Sequence, residues 1–398
     1  MQLRLLSPLC LVISVGCGNA RPLPEAPSTH LGAASTEARA HESPRSYAIR
    51  AVEGRFSAEV EATGAPAIET ELDEDGDPRT TVTIPTGDAR PIVCLVTNDM
   101  RDAGAFVVRA FTSIKNDAQL DDLELPALEV ELAQRAPFVW VSSRGVSATK
   151  AVDLRAALLP REGGSLFCLQ VGGTERATFS RVVGGLVASA RHEGWARTRF
   201  AEAAVMRTQG KVNGFAQRFV HDGGRETQYG TAFLDQGAGW SAFDWANGAT
   251  VDARGELTAS TSAGAVNGTQ LFRIDVKRGK GKEYTFDKEV PGQPPQHGSF
   301  KATRPITTDL SRAALVRAFV AGKERERTFL EVHEDPENVE PRAIVIRRVS
   351  GRTVSFAYGT KKTVLCEIAP DGMCIRGEIT DEDGDKRAWE RLYVEGEP

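Results

Sequence analysis

Two acidic stretches of the sequence contain the residue types that bind calcium. They read DEDGDPR and DEDGDKR and lie near opposite ends of the chain. A calcium loop of the EF-hand type needs oxygen ligands at alternate positions, a glycine at the sixth position and a carboxylate at the twelfth. The first stretch places Val82 at the twelfth position, and the second places Ile379 at the first. Each stretch therefore lacks one essential ligand.

Both acidic stretches connect segments with the alternating pattern of β-strands. Asp-Gly supplies the positive φ angles that hairpin turns require, and water hydrates the exposed carboxylates. The sequence therefore predicts two hairpin turns, and weak calcium binding of roughly millimolar affinity is the alternative. The candidate metal ligands are Asp73, Asp75, Asp77, Asp381, Asp383 and Asp385.

Four cysteines form a second set of reactive side chains. An even number of cysteines in an exported chain permits two disulfides. Cys94 and Cys168 occupy equivalent places in two similar segments, so neighbouring strands would bring their sulfurs together. Cys366 and Cys374 flank the turn at residues 370–372, which favours a bridge across a hairpin. Buried free cysteines are the alternative for the first pair.

Aromatic residues crowd into the segment GWSAFDW and the strand before it. They are Trp240, Phe243, Trp245, Phe233 and Tyr229. On the inside of a barrel or the face of a sandwich, such side chains contact an apolar ligand or a glycan. Aromatic side chains more often pack in the core, and the sequence favours that role.

Catalytic and nucleic-acid-binding motifs are missing from the sequence. It has no GxSxG, HExxH, Walker or dinucleotide-binding motif, and the one SxxK, from Ser147 to Lys150, lacks its companion motifs. Charged residues make up 26% of the chain, and the formal net charge is −5. We therefore expect no cofactor and no nucleic-acid partner, and a protein that is more easily explained as a binding module than as an enzyme.

The N-terminus reads MQLRLLSPLCLVISVGC. Arg4 precedes an apolar stretch that is too short to span a bilayer, which is typical of a secretory signal peptide. The ending SVGC resembles the lipobox of bacterial lipoproteins, although Ser14 stands where an aliphatic residue is usual. The resemblance implies lipidation of Cys17, a membrane anchor, and export to the outer membrane, the cell surface or the periplasm. Ordinary signal cleavage nearby is the alternative.

Composition and periodicity divide the chain into four parts. We predict a signal peptide at 1–16, a lipidated N-terminus and disordered tether at 17–47, a duplicated α+β domain at 48–192, and a mainly-β domain at 193–398. Segments 84–111 and 159–186 match in order of strand, polar loop and helix, which predicts an internally duplicated antiparallel sheet with two helices on one face.

The part after residue 192 alternates short strands with glycine-rich turns. This pattern predicts an antiparallel β meander, barrel-like or sandwich domain. A segment rich in glycine and proline suggests a break around 278–310, and a helix follows with Asp309 as N-cap and Gly322 just after its end.

Three functions remain open at this level. The first is an exported, membrane-tethered lipoprotein that binds a protein or an apolar or glycan ligand without chemistry. The second is a structural or assembly component of the cell envelope. The third is a hydrolase whose active site is dispersed along the chain.

Overall fold

A computed structural model describes most of the chain. The described residues are 4–5, 11–12, 43–51, 55–72, 78–87, 90–97, 103–124, 127–133, 136–147, 151–159, 161, 164–172, 176–235, 240–331, 339–358, 362–380 and 386–396. They form 28 strands and three helices within these ranges. The helices are α1 (Ala103–Asp117), α2 (Arg176–Ser189) and α3 (Ala313–Ala321). No helix in this part of the chain is long and apolar enough to cross a membrane.

Three small or medium sheets form before residue 193. Strands β1 (Arg4–Leu5) and β2 (Leu11–Val12) pair with each other. Strands β3 (Arg45–Ala51), β4 (Phe56–Ala62) and β13 (Arg191–His192) form a sheet of order β13-β4-β3. The third sheet has eight strands, β5 (Ala67–Leu72), β6 (Pro78–Ile84), β7 (Ile92–Thr97), β8 (Asp122–Leu123), β9 (Ala127–Ala133), β10 (Ala136–Val146), β11 (Ala151–Leu159) and β12 (Ser165–Val171). Its order is β5-β6-β7-β12-β11-β10-β8, and β9 also pairs with β10.

A sheet of 15 strands follows residue 197. Its strands are β14 (Thr198–Thr208), β15 (Lys211–His221), β16 (Arg225–Asp235), β17 (Trp240–Val251), β18 (Leu257–Val266), β19 (Thr269–Arg278), β20 (Glu283–Glu289), β21 (Gln296–Lys301), β22 (Ile306–Thr307), β23 (Glu326–Glu331), β24 (Arg342–Ser350), β25 (Thr353–Tyr358), β26 (Lys362–Ile368), β27 (Cys374–Thr380) and β28 (Lys386–Gly396). Neighbours are antiparallel except β22 and β23, which are parallel. Strand β14 pairs with β15 on one side and with β28 on the other.

Both predicted disulfides are present. Cys94 of β7 and Cys168 of β12 lie directly opposite each other in neighbouring strands, and their sulfurs are bonded. Cys366 and Cys374 are also bonded, across the β26–β27 hairpin. Both bridges therefore stabilise sheets rather than hold a metal.

The two long helices lie on opposite faces of the eight-stranded sheet, so the expectation of two helices on one face is wrong. Strand alternation sends Cys168 to one face and Phe167 to the other. Cys168 shares a core with α2 and the three-stranded sheet, whereas Phe167 shares a core with α1. That second core also includes Phe233 of the large sheet, so α1 lies between two sheets.

A carboxylate of the large sheet caps the beginning of α1. Asp244 of β17 accepts hydrogen bonds from the backbone N–H groups of Gly104 (2.8 Å) and Ala105 (2.9 Å). The Thr231 hydroxyl also donates to Asp244, at 2.6 Å. Helix α1 lies so close to the large sheet that position 104 requires glycine, because a Cβ on Gly104 would lie 2.2 Å from the Thr231 methyl carbon.

Part of the segment 278–310, where the sequence suggests a break, forms strands of the large sheet. Strands β20 and β21 lie within 278–310 and extend the order from β19. The chain then passes to the opposite edge, where β22 pairs with β23. Glycine and proline lie in the β20–β21 turn at 290–295.

Helix α3 begins later than the sequence predicts. Its N-cap is Arg312 without a side-chain capping bond, while Gly322 follows the last turn as expected. The prediction that Asp309 is the N-cap is wrong, because the Asp309 carboxylate pairs with Arg218 and Arg312 instead. The apolar side of α3 packs on the strands from β23 to β27.

Four glycines of the large sheet lie under an aromatic ring of the neighbouring strand. The pairs are Gly230 with Trp245, Gly264 with Phe272, Gly298 with Phe286 and Gly377 with Trp389. A Cβ added to Gly230 would lie 2.0 Å from the Trp245 ring. Such rings replace the packing that the glycine itself lacks.

Candidate ligand-binding cleft

Several candidate residues of the sequence lie outside the described residues. These are Cys17 and the acidic stretches 73–77 and 381–385. The strands next to each acidic stretch pair antiparallel, with Leu72 opposite Pro78 and Thr380 opposite Lys386. Within the described ranges, no group of three or more His, Cys, Asp or Glu side chains is arranged to hold a metal.

The aromatic candidates divide between the two sides of the large sheet. Phe243 and Trp245 stack with ring centroids 5.9 Å apart on one side. Phe233 and Trp240 lie on the other side, where both belong to the core around Phe111 of α1. Phe233, Phe243 and Trp245 are buried and Trp240 is half-buried, and the two pairs lie on opposite sides of the sheet.

Tyr229 belongs to a third, small apolar cluster. It is 7% exposed and packs with Ala201 and Phe219. The guanidinium of Arg161 lies over the Phe219 ring at 4.9 Å. Burial lowers the pKa of Arg161. These contacts join the loop between β11 and β12 to the large sheet.

A cleft of about 250 Å³ opens beside the start of α2. Strands β10 and β11 form one wall, with Ser142 opposite Arg155 and Arg144 opposite Asp153. Arg176, the first residue of α2, forms the other side. The lining residues are Glu124, Trp140, Ser142, Ser143, Arg144, Asp153, Leu154, Arg155 and Arg176.

Trp140 forms the floor of this cleft. It is 1% exposed, and its ring meets Phe179 of α2 edge-on at 4.7 Å. The Arg176 guanidinium lies over the same ring at 5.4 Å, within the range of a cation–π interaction. The packing of Trp140 therefore holds Arg176 at the mouth of the cleft.

The cleft has more positive than negative side chains. Its three arginines face two carboxylates, those of Glu124 and Asp153. Arg155 is mostly buried and lies 3.6 Å from Asp153. The Ser143 hydroxyl donates to the Glu124 backbone carbonyl at 2.7 Å, which fixes the rim. Guanidinium groups bind carboxylates and phosphates with paired hydrogen bonds, so this arrangement suits an anion.

The arginines of the cleft were not found from the sequence. They lie on two strands and a helix, and no spacing rule connects such positions. Only the register of β10 against β11, together with the direction of α2, brings Arg144, Arg155 and Arg176 together.

No family model matches the chain. No relative was found among curated proteins either. A DUF1089 family protein from Pseudomonas aeruginosa is similar in structure, with 9% identity and a TM-score of 0.30 over 41% of this chain and 88% of that one. A β-barrel-like DUF1849 protein from Brucella abortus has 8% identity and a TM-score of 0.38 over 50% of this chain and 98% of that one.

A chain of alternating charges runs through the interior of the large sheet. In order, its members are Asp371, Arg391, Glu202, Arg218, Asp309, Arg312 and Glu331. Arg391 lies 2.7 Å from Asp371, and Arg218 lies 3.1 Å from Asp309. Although burial opposes ionisation of Asp309, the Arg312 and Arg218 charges hold its pKa below the usual value. The network ties the segment before α3 to strands on both sides of it.

Glu226 is a buried carboxyl next to this network. It is 5% exposed, and the Thr308 hydroxyl donates to it. Burial raises its pKa from 4.5 to about 7, although the bond from Thr308 opposes the shift. Glu226 therefore keeps its proton in mildly acidic solution.

His221 lies between two threonines rather than in a catalytic set. Its Nε2 is 3.0 Å from the Thr227 hydroxyl and its Nδ1 is 3.3 Å from the Thr198 hydroxyl. Burial lowers the pKa of His221, with Arg225 adding to the effect. This environment favours the neutral ring and a structural role.

Proposed function

We propose that the protein is an exported binding protein, tethered to a membrane by a lipid on Cys17, and that the cleft beside α2 holds an anionic ligand. The SVGC ending supports the tether. The two disulfides are consistent with an oxidising compartment outside the cytosol.

The arginines of the cleft carry the binding part of this proposal. Three guanidiniums converge on a space of about 250 Å³, large enough for a small carboxylate, phosphate or acidic sugar. Trp140 stacks with Arg176, so that cation is positioned before a ligand arrives. Prior positioning lowers the entropy lost on binding.

Calorimetric titration of the purified full chain tests the cleft. The probes are inorganic phosphate, citrate and glucuronate, with glucose as the neutral comparison. We expect an acidic probe to bind. Arg144→Ala and Arg176→Ala should each raise the Kd of that probe by about tenfold or more, because each substitution removes a charge-assisted hydrogen bond.

Arg181→Ala is the matched control for these variants. Arg181 lies on the same helix, but it is exposed and pairs with Glu61 outside the cleft. Equal affinity in all three variants, or binding of glucose as strong as that of the acids, would contradict the proposal.

Intact-mass measurement of membrane-extracted protein tests the tether. We expect a mature chain that begins with acylated Cys17. Cleavage elsewhere, with a free Cys17 thiol, would leave binding in the cleft unaffected and would remove the membrane part of the proposal.

An assembly role is the second candidate, and strand β5 favours it. This strand is at the edge of its sheet, and every residue from Ala67 to Leu72 is exposed. Ile68 and Leu72 are 41% and 69% exposed, and an open edge strand can pair with another chain. Co-purification of a partner that is lost with Leu72→Lys, but kept with Leu365→Lys on the large sheet, would support this role.

We also propose that the eight-stranded sheet arose by duplication. The order β5-β6-β7 followed by β12-β11-β10 supports this origin, since equivalent strands lie on each side of the disulfide. The opposite placement of α1 and α2 is then a later divergence. We assign no catalytic role to the chain.

A further inference from the structure

One end of the large sheet carries a group of exposed basic side chains, called here the basic tip. It consists of Lys277, Lys280, Lys282, Lys301 and Arg304. The β19–β20 hairpin supplies the first three, and β21 with the residues after it supplies the others. A hydrogen bond of 2.9 Å from the Ala302 N–H to the Lys282 carbonyl holds the two parts together.

The charge of the basic tip is poorly compensated. Among the described residues, no ion pair within 4.0 Å involves any of its five members. Glu283 lies opposite Lys301 in the strand register and is the acidic side chain within the tip. Arg278, by contrast, lies just below and pairs with Asp252 at 2.9 Å and with Glu256 at 3.5 Å. The five positive charges at one end of the sheet raise the local potential, which favours the binding of a polyanion.

We propose that the basic tip docks on a membrane surface rich in anionic phospholipid. The inference rests on the proposed tether for the nearness of a bilayer. A linker of about 26 residues after Cys17 spans at most roughly 90 Å, so the folded part stays within reach of the surface. The tether lets the tip meet the surface repeatedly, and the electrostatic attraction, which acts within a Debye length of about 10 Å, then orients the protein.

The surface of the tip fits a lipid headgroup layer better than a nucleic acid. Single-stranded nucleic acids are bound by basic grooves with exposed aromatic rings on which bases stack. The aromatic residue nearest the turn of this hairpin, Tyr284, is buried and stacks on Phe300 at 5.4 Å. Phe286 on the same strand covers Gly298 of the neighbouring strand. Long, flexible lysine side chains that are exposed at the end of the sheet match the diffuse charge of a membrane instead.

Vesicle co-sedimentation tests the proposal. The protein is the full chain with Cys17→Ser, so that no acyl chain contributes, and the vesicles are phosphatidylcholine with and without phosphatidylglycerol. Each basic residue near an anionic surface contributes about fivefold to partitioning. We expect Lys280→Gln/Lys282→Gln/Lys301→Gln to reduce binding to anionic vesicles by on the order of 100-fold, because each of the three substitutions reduces partitioning by about fivefold.

A charge-matched variant is the control. Lys211→Gln/Lys288→Gln/Lys386→Gln removes the same charge from the opposite end of the strands and should keep its binding. Neutral vesicles correct for the apolar N-terminal segment that all variants share. Equal loss in both variants, no preference for anionic vesicles, or tighter binding to a single-stranded oligonucleotide would each overturn the proposal. Failure of the tether appears in the mass measurement and leaves this assay unchanged.

Discussion

Glu226→Gln should make the protein more stable at alkaline pH and leave it unchanged in acid. The raised pKa means that the folded state holds the Glu226 proton more tightly than the unfolded chain does. Stability from this group is therefore fully present below pH 4.5 and is lost as the pH rises through about 7. Glutamine does not titrate, and its carbonyl still accepts the hydrogen bond from Thr308.

The size of the effect follows from the shift. A rise from 4.5 to about 7 is about 2.5 pKa units, and each unit corresponds to about 1.4 kcal/mol. Wild-type protein should lose about 3 kcal/mol from this group between pH 4.5 and pH 8. Glu226→Gln should then be about 3 kcal/mol more stable than wild type at pH 8 and only about 1 kcal/mol more stable at pH 5.

Urea unfolding of both proteins at pH 5, 6.5 and 8 measures this difference, because other titrating groups contribute equally to both. Glu378→Gln, in which an exposed glutamate of the same sheet is replaced, is the control for the general effect of removing one carboxylate. A difference between Glu226→Gln and wild type that is the same at pH 5 and pH 8 would refute the reasoning.

Three further predictions concern single contacts. Asp244→Ala should cost about 1 to 2 kcal/mol in urea unfolding, since it removes the cap of α1, and an unchanged stability would contradict this. Replacing Cys94 and Cys168 by serine should destabilise the protein more than replacing Cys366 and Cys374, because the sequence separations are 74 and 8. The loop entropy corresponds to about 4.5 kcal/mol for the first pair and about 2.6 kcal/mol for the second. Equal losses would show that chain entropy does not dominate. Millimolar calcium should leave the melting temperature unchanged, and a rise that Asp75→Asn abolishes would show a metal site in the first acidic stretch.

Local patterns in the sequence were sufficient for many strands and for both disulfides. In β4, the residues FSAEVEA are alternately buried and exposed at every position, as their sequence pattern predicts. Cys94 and Cys168 were paired because equivalent segments were expected to be neighbours, and the register places them directly opposite. These features depend on periodicity and on nearest-neighbour pairing, which a single sequence records.

Features that depend on distant packing were not predictable in the same way. A side chain such as Asp309 fits the pattern of an N-cap, but Arg218 on another strand competes for its carboxylate. The face on which α1 lies depends on the large sheet, since Asp244 and Phe233 contact it from there. The arginines of the cleft also meet only through the register of β10 and β11 and the position of α2.

The pairing of β14 with β28 has a consequence for the order of folding events during synthesis. Glu202 of β14 lies opposite Val394 of β28, so this strand obtains its second partner only when the last part of the sheet emerges. A ribosome adding roughly 5 to 20 residues per second needs on the order of 10 to 40 s for that interval. During this time that edge of β14 lacks its partner β28 and can pair with another chain.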